Sequence, residues 1–403
     1  MEDGDAQSSP NQSQGHSAAE FQAQPGQDQP LSSSHASSPQ AQTGRFYQPE
    51  LDCLRFFAFF GVFFFHTCSW DPQYYAARHI PFGGLIASAS RAGSFGVDLF
   101  FLLSAFLITE LLLREKEQQG EIHLRAFYLR RILRIWPLYF LGILIGVLLS
   151  LVDPVQHFPF RYVIAFLLLS GNWLVSFSGF PGNVMNPLWS VSFEEQFYLI
   201  WPTVVRSVRR VETLWFACGM LLVTAELGRF LLVRYAPSVT IFTNTVARLD
   251  PIALGIATAL GMRKFRVDLG ALTRVGCLTL GILIWLIAGH YFGTSYAFAL
   301  LGYPAMALGA WLIFLAASGA KFAPRFLAYL GKISYGLYVY HMFALYLLMK
   351  LVGHYPHTLR DFVIYCSLGL VLTIAMAALS YRFIETPFLR MKERYAFIKS
   401  RNV

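Results

Sequence analysis

The chain is short of charge. Only 14% of its 403 residues are Asp, Glu, Lys or Arg, against about 25% in a soluble globular protein. That deficit excludes an ordinary water-facing surface. Cysteine is scarce as well: Cys53, Cys68, Cys218, Cys277 and Cys366 stand singly, mostly inside apolar runs. With no CxxC and no Cys/His spacing they read as buried thiols, which excludes a disulfide frame and a zinc site. No cleavable leader is expected, because the first 46 residues are polar and the first apolar run is too long and too polar at its ends. What abounds is apolar and aromatic. Hydrophobic residues make up 55% of the chain, with 37 Phe, 20 Tyr and 8 Trp, and mean hydropathy is +0.48.

Residues 1–46, rich in Gln, Ser, Ala, Pro and Gly, bury too little surface to offset chain entropy and read as a disordered cytoplasmic tail. Residues 47–390 read as one membrane domain, followed by a basic cytoplasmic tail over 391–403. Apolar runs of near-spanning length, about 20 residues, fall at 51–70, 95–113, 135–153, 161–178, 189–205, 213–233, 247–262, 270–289, 297–318, 328–349 and 362–384. Charge decides among them. If 161–178 does not span, one face collects Arg114, Lys116, Arg125, Arg130, Arg131 and Arg134, then Arg206, Arg209, Arg210, Arg263, Lys264 and Arg266, and later Lys321 and Arg325. The opposite segments hold Arg78, Arg91, Arg161, Arg234, Lys350 and Arg360. The positive-inside rule makes the first face cytoplasmic.

The expected fold is therefore all-α, a polytopic integral membrane helical bundle of ten transmembrane helices with both termini cytoplasmic. The segment 161–178 is expected to be re-entrant or interfacial, broken at Ser170-Gly171-Asn172 as suits an irregular element lining a cavity. The net charge of +9 is mostly this cytoplasmic-face signal. Membrane lipid is the expected partner, and nucleic acid is not.

Within this apolar background the stretch Leu188–Pro202 carries two adjacent carboxylates, Glu194 and Glu195. An ionised side chain in hydrocarbon costs roughly 3 kcal/mol or more, so such residues usually face a protein interior or a wet cavity. Adjacent residues on a helix point about 100° apart, so one of the two is expected to face a cavity. His66 lies about 16 Å beyond Arg55 along the first span. His66, Glu194, Glu195, Asp98, Arg248, Asp250 and His341 fall in an outer layer, and Arg55, Arg130, Arg131, Arg134, Arg382 and Glu385 in an inner one. Each has a structural reading too: a hydrogen-bonded histidine, a snorkelling Arg55, a topological arginine cluster, an Arg248–Asp250 ion pair. The coincidence at one depth favours function. A histidine with a carboxylate partner suits proton removal from a nucleophile, and a basic inner vestibule suits a phosphate-bearing acyl donor. These residues alone support transfer or transport across the membrane and do not choose between them.

Seven motifs in order bring the chain close to one family. They are Leu51-Asp-Cys-Leu-Arg55 with Arg55-x10-His66, Phe95–Thr109 with Ser104-Ala105-Phe106, Phe127–Pro137, Leu188–Pro202, Arg248-Leu-Asp250, Gly331–His341 with Tyr335, and Tyr381–Pro387. In these the chain resembles the acyltransferase-3 family of integral membrane O-acyltransferases, which includes O-antigen, exopolysaccharide and peptidoglycan O-acetylases and macrolide acylases. The resemblance implies transfer of an acyl group, commonly acetyl, from cytoplasmic acetyl-coenzyme A to a sugar hydroxyl at the outer side of a bacterial-type inner (plasma) membrane. It makes Arg55 and His66 the functional pair of the first span, gives Glu194 or Glu195 the orientation of His66, and puts Arg130, Arg131 and Arg134 on the donor's phosphates. Asp98, Ser104, Arg248, Asp250, Tyr335, His341, Arg382 and Glu385 are supporting. It implies no metal and no bound cofactor, acyl-coenzyme A being a co-substrate, and a glycan or lipid-linked sugar as acceptor. Many relatives of that kind carry an esterase-like domain; the stand-alone form is expected here. The rival readings are a transporter or flippase of a lipid-linked glycan, for which inverted repeats are expected and none is visible, and a non-catalytic sensor or scaffold. Acceptor choice is assigned to 71–94 and 154–188, where Trp70, Tyr74, Tyr75, Trp173, Phe177 and Phe180 read as ring-stacking or interfacial-belt residues.

Overall fold

The computed structural model describes residues 47–234, 238–265, 269–293, 295–353 and 358–395. The expected tail over 1–46, residues 396–403 of the expected tail over 391–403, and Arg266 lie outside the described residues. Among the described residues every regular element is helical. The first group is α1 (Pro49–Thr67), α2 (Pro72–Ala76), α3 (Gly83–Gly93), α4 (Gly96–Gln119) and α5 (Leu124–Val152). Next come α6 (Phe160–Leu167), α7 (Gly171–Ser178), α8 (Trp189–Ser207), α9 (Val211–Leu232), α10 (Ser238–Thr243) and α11 (Asp250–Lys264). The last group is α12 (Ala271–His290), α13 (Tyr303–Ala317), α14 (Arg325–Lys332), α15 (Ser334–Val352), α16 (Leu359–Ser380) and α17 (Thr386–Glu393).

Seven helical stretches are long and apolar enough to cross a membrane: Gly83–Gln119, Leu124–Val152, Val211–Leu232, Ala271–His290, Phe298–Ala317, Ser334–Val352 and Leu359–Glu393. The expected ten is not reached on length and composition. The shortfall is physical. α1 carries Glu50, Asp52 and Arg55, α8 carries Glu194, Glu195 and Arg206, and α11 is only 15 residues long. These three helices are enclosed by others: α1 packs on α3, α4, α14 and α15, α8 on α4, α5 and α7, and α11 on α4, α9 and α13. A helix walled by protein is released from the demand for an apolar surface. α12 shows the opposite case, turning Leu272, Val275, Leu278, Leu283 and Ile287 outward.

Enclosure requires close approach, and small residues allow it. A methyl on Gly331 would lie 1.7 Å from the Asp52 carbonyl oxygen, so α14 touches the backbone of α1 only because that residue is Gly. Gly255 of α11 does the same for α4, where an added Cβ would sit 2.4 Å from Leu102 O and 2.9 Å from the Ala105 methyl.

The segment 161–178 is broken, as its Ser-Gly-Asn suggested. α6 and α7 have eight residues each, about 12 Å apiece at the α-helical rise. Between them Leu169 adopts a left-handed φ of 55°. The carbonyl of Leu169 accepts from Gln196 Nε2 at 3.1 Å, and the same amide donates to Asn172 Oδ1 at 2.8 Å. Asn172, fully buried, donates in turn to Thr243 O and Thr245 Oγ1. Freed backbone is tolerable at this depth because protein groups take its hydrogen bonds.

Candidate active site

Among the described residues, two neighbouring cavities between the helices hold several of the expected residues. The first, about 90 Å³, is lined by Arg55 of α1, Ser104 of α4, Arg131 and Arg134 of α5, Glu194 and Tyr198 of α8, and Tyr335 of α15. The second, about 470 Å³, contains His66 and a largely aromatic wall. Val97 and Tyr338 belong to both linings, so these two side chains form the partition. The α1 helix spans the pair, with Arg55 in one cavity and His66 in the other.

The first cavity resolves the glutamate question. Glu194 lines it, accepting from Ser104 Oγ at 3.1 Å and Tyr198 OH at 2.8 Å, within electrostatic reach of Arg55 and Arg131. Glu195 points elsewhere: its Oε2 accepts from Trp136 Nε1 at 3.0 Å, and its buried Oε1 has no hydrogen-bond partner. Of the arginine cluster, Arg131 and Arg134 face the cavity and Arg130 does not. Arg130 pairs with Glu115 at 2.9 Å and donates to Tyr395 O at 2.6 Å. Arg131 and Arg134, three apart on α5, share a helix face, while Arg130 is rotated off it. Arg55 also meets Asp52 at 3.3 Å.

His66 is not brought to either glutamate. Its partner is His341, whose Nε2 lies 3.3 Å from His66 Nδ1, with ring centroids 5.0 Å apart. The proton positions follow from the carbonyls. His341 Nδ1 faces Tyr338 O at 2.6 Å and His66 Nδ1 faces Val62 O at 2.9 Å; a carbonyl oxygen only accepts, so both Nδ1 atoms carry hydrogen. Neutral His341 then has Nε2 as an acceptor, and the single His66 Nδ1–H is shared between Val62 O and His341 Nε2. Neutral His66 is left with a lone pair on Nε2, the nitrogen available to the cavity it lines.

The other expected residues sort cleanly. Arg248 does not pair with Asp250. It forms an ion pair with Asp98 and lies over the rings of Phe95, Phe242 and Tyr303 at 5.2, 5.1 and 5.0 Å. Asp250 is held by both Nη atoms of Arg229, at 2.7 and 2.9 Å. Separated by two positions, Arg248 and Asp250 point to different neighbours, and each finds a partner on another helix. Tyr335 OH donates to Ile135 O at 2.9 Å. Arg382 is exposed and Glu385 is buried near Gly336; neither lines the two cavities. Of the aromatics assigned to acceptor choice, Trp70 and Phe180 line the second cavity, while Tyr74, Tyr75, Trp173 and Phe177 do not.

The sequence reading missed Tyr338, Tyr198, Trp136 and Arg229. Tyr338, Tyr198 and Trp136 stand inside the motifs Gly331–His341, Leu188–Pro202 and Phe127–Pro137, where spacing from His341, Glu194 and Arg134 was the available signal; Arg229 carries none. Among the described residues no group of three or more His, Cys, Asp or Glu is placed to hold a metal ion.

No solved structure matches the chain. It is 26% identical over 373 residues to the protein SAS0844 of Staphylococcus aureus strain MSSA476, covering 85% of this chain and 57% of that one. It is 28% identical over 384 residues to the O-acetyltransferase OatA of Staphylococcus aureus strain NCTC 8325 / PS 47, covering 87% and 58%. The chain thus spans less than two thirds of the length of these curated relatives. The acyltransferase-3 model, described as an acyltransferase domain, matches residues 48–382. With most of its length matched, the chain belongs to the acyltransferase-3 family.

Proposed function

We propose that the protein moves an acyl group, acetyl above all, from cytoplasmic acyl-coenzyme A to a hydroxyl of an extracytoplasmic glycan or lipid-linked sugar. The membrane domain over 47–390 would sit in a bacterial-type inner membrane with both termini cytoplasmic. The relative named O-acetyltransferase OatA supports the acetyl group and the hydroxyl acceptor. The observation that carries the reading is the pair of unlike cavities sharing one partition, guanidinium groups in one and an imidazole in the other.

The inner cavity suits the donor. Arg55, Arg131 and Arg134 offer planar, permanently charged donors of the kind that grip phosphate oxygens, and Glu194 keeps the cavity from holding uncompensated positive charge. The thioester end reaches the partition. His66 Nε2 takes the proton of the acceptor hydroxyl, and that oxygen attacks the thioester carbonyl. The C–O bond forms, the C–S bond breaks, and the leaving thiolate takes the proton from His66. His341 acts as a positioning residue, fixing the His66 tautomer through Nδ1, while the Tyr338 carbonyl fixes that of His341. The orienting role implied for Glu194 or Glu195 passes to His341, because both carboxylates are hydrogen-bonded elsewhere.

Purified His66→Ala protein supplied with labelled acetyl-coenzyme A and acceptor glycan is expected to lose transfer by about 100-fold or more, with donor binding retained. Transfer at the wild-type rate would overturn the assignment.

A further inference from the structure

The outer cavity has the size of a small-molecule site, about 470 Å³, yet it offers few polar handles. Phe65, Trp70, Phe180, Trp189, Phe242 and Phe292 line it. Trp70 stacks on Phe65 at 4.8 Å and is more than half exposed, so an aromatic lip continues outward from it. Most of the polar side chains in the lining are already engaged within the protein. Ser94 Oγ donates to Arg91 O at 2.7 Å, and Asn186 Oδ1 accepts from the backbone N–H of Gly182 and Asn183 at 3.2 and 3.3 Å. Tyr338 OH lies between Ser190 Oγ and Pro187 O, at 2.7 and 3.0 Å.

The groups left for a ligand are His66 Nε2, the Asn186 amide N–H, the Trp189 indole N–H and the Tyr303 hydroxyl. A sugar ring buried whole has several hydroxyls, each a donor and an acceptor, and each one left unpaired in an enclosed site opposes binding. Four groups supply fewer partners than a full set of hydroxyls, each both donor and acceptor, requires. An apolar body against the aromatic wall is favoured simply by leaving water.

We propose that the acceptor is amphipathic: its reactive hydroxyl stands next to an apolar or aromatic body that fills the outer cavity. The inference rests on the acyl-transfer reading of His66, and it is tested by binding so that the two fail separately.

The experiment uses the full chain in lipid nanodiscs and two soluble probes with the same sugar hydroxyls, p-nitrophenyl β-D-glucopyranoside and methyl β-D-glucopyranoside. The nitrophenyl group quenches tryptophan fluorescence, and Trp70 and Trp189 line the cavity; the methyl glycoside is titrated in competition. The aryl glycoside is expected to bind at least about tenfold tighter. Val239→Phe, which fills the same cavity from its wall, is expected to remove the difference. Equal affinities, no binding of either probe, or a preference that survives Val239→Phe would overturn the proposal. Equal affinities beside His66-dependent transfer would sink this inference and keep the function; an aryl preference beside His66-independent transfer would do the reverse.

Discussion

The two cavities that meet at Tyr338 are stabilised by different means. The inner one, about 90 Å³, sets charged and hydroxyl side chains among apolar ones, with Glu194 accepting from Ser104 across α4 and α8 and from Tyr198 within α8. The outer one, about 470 Å³, is walled by rings, and its charges lie behind them: the Arg248–Asp98 pair is sheathed by Phe95, Phe242 and Tyr303. Charge that lines a cavity stands within reach of a ligand. Charge sealed behind aromatics holds helices together. On the proposed donor site, the comparison reads Arg131 and Arg134 as binding residues and Arg248 as part of the fold, although all three are arginines at membrane depth.

Breaking the outer pair is expected to give the largest effect. Arg248→Ala leaves the Asp98 carboxylate buried without its partner, a loss of about 3–5 kcal/mol in comparable buried pairs. Thermal unfolding of the detergent-purified variant measures it, and an Arg248→Ala/Asp98→Asn double variant should recover part of the loss. A variant of wild-type stability would place Arg248 with the ligand-facing arginines and erase the distinction.

The inner arginines should answer differently. Arg131→Ala removes a charge-assisted contact to the donor and is expected to raise KM for acyl-coenzyme A by about tenfold, with thermal stability close to wild type. Arg130→Ala is the control, because Arg130 is turned to Glu115 and away from the cavity. A change in KM on Arg130→Ala as large as on Arg131→Ala would mean that both act through the overall field of the face.

That contrast also marks how far the sequence could be read. Residue spacing revealed the helices, the break at Ser170-Gly171-Asn172 and the fact that only one of two adjacent glutamates can face a cavity. Which one it is depends on how α8 rotates against α4 and α5, and Ser104 and Trp136 decide that from other helices. The same limit applies to His66. A carboxylate at similar depth was the natural partner to expect, but the partner is His341, 275 positions away, because α15 packs on the same flank of α1. Arg229 read as nothing in particular near the end of its span, yet it binds Asp250 with both Nη atoms. Span counting fell short where α1, α8 and α11 are too polar or too short for lipid, since the protein around them supplies the environment that a hydropathy window assigns to hydrocarbon.

The smallest effect tests the partition itself. Tyr338 OH is tied to Ser190 and Pro187 O, and its ring packs edge-on against Phe100 at 5.8 Å. Tyr338→Phe keeps the ring and the backbone carbonyl that positions His341, and loses only the two hydroxyl contacts. At about 1 kcal/mol per hydrogen bond, a loosened wall should let water reach the thioester severalfold more often. Acyl-coenzyme A hydrolysis without acceptor is expected to rise about fivefold, while transfer to a good acceptor changes less than hydrolysis does. If both rates fall together, the hydroxyl serves the fold of α15 and the separation of the cavities rests on Val97 and the ring alone.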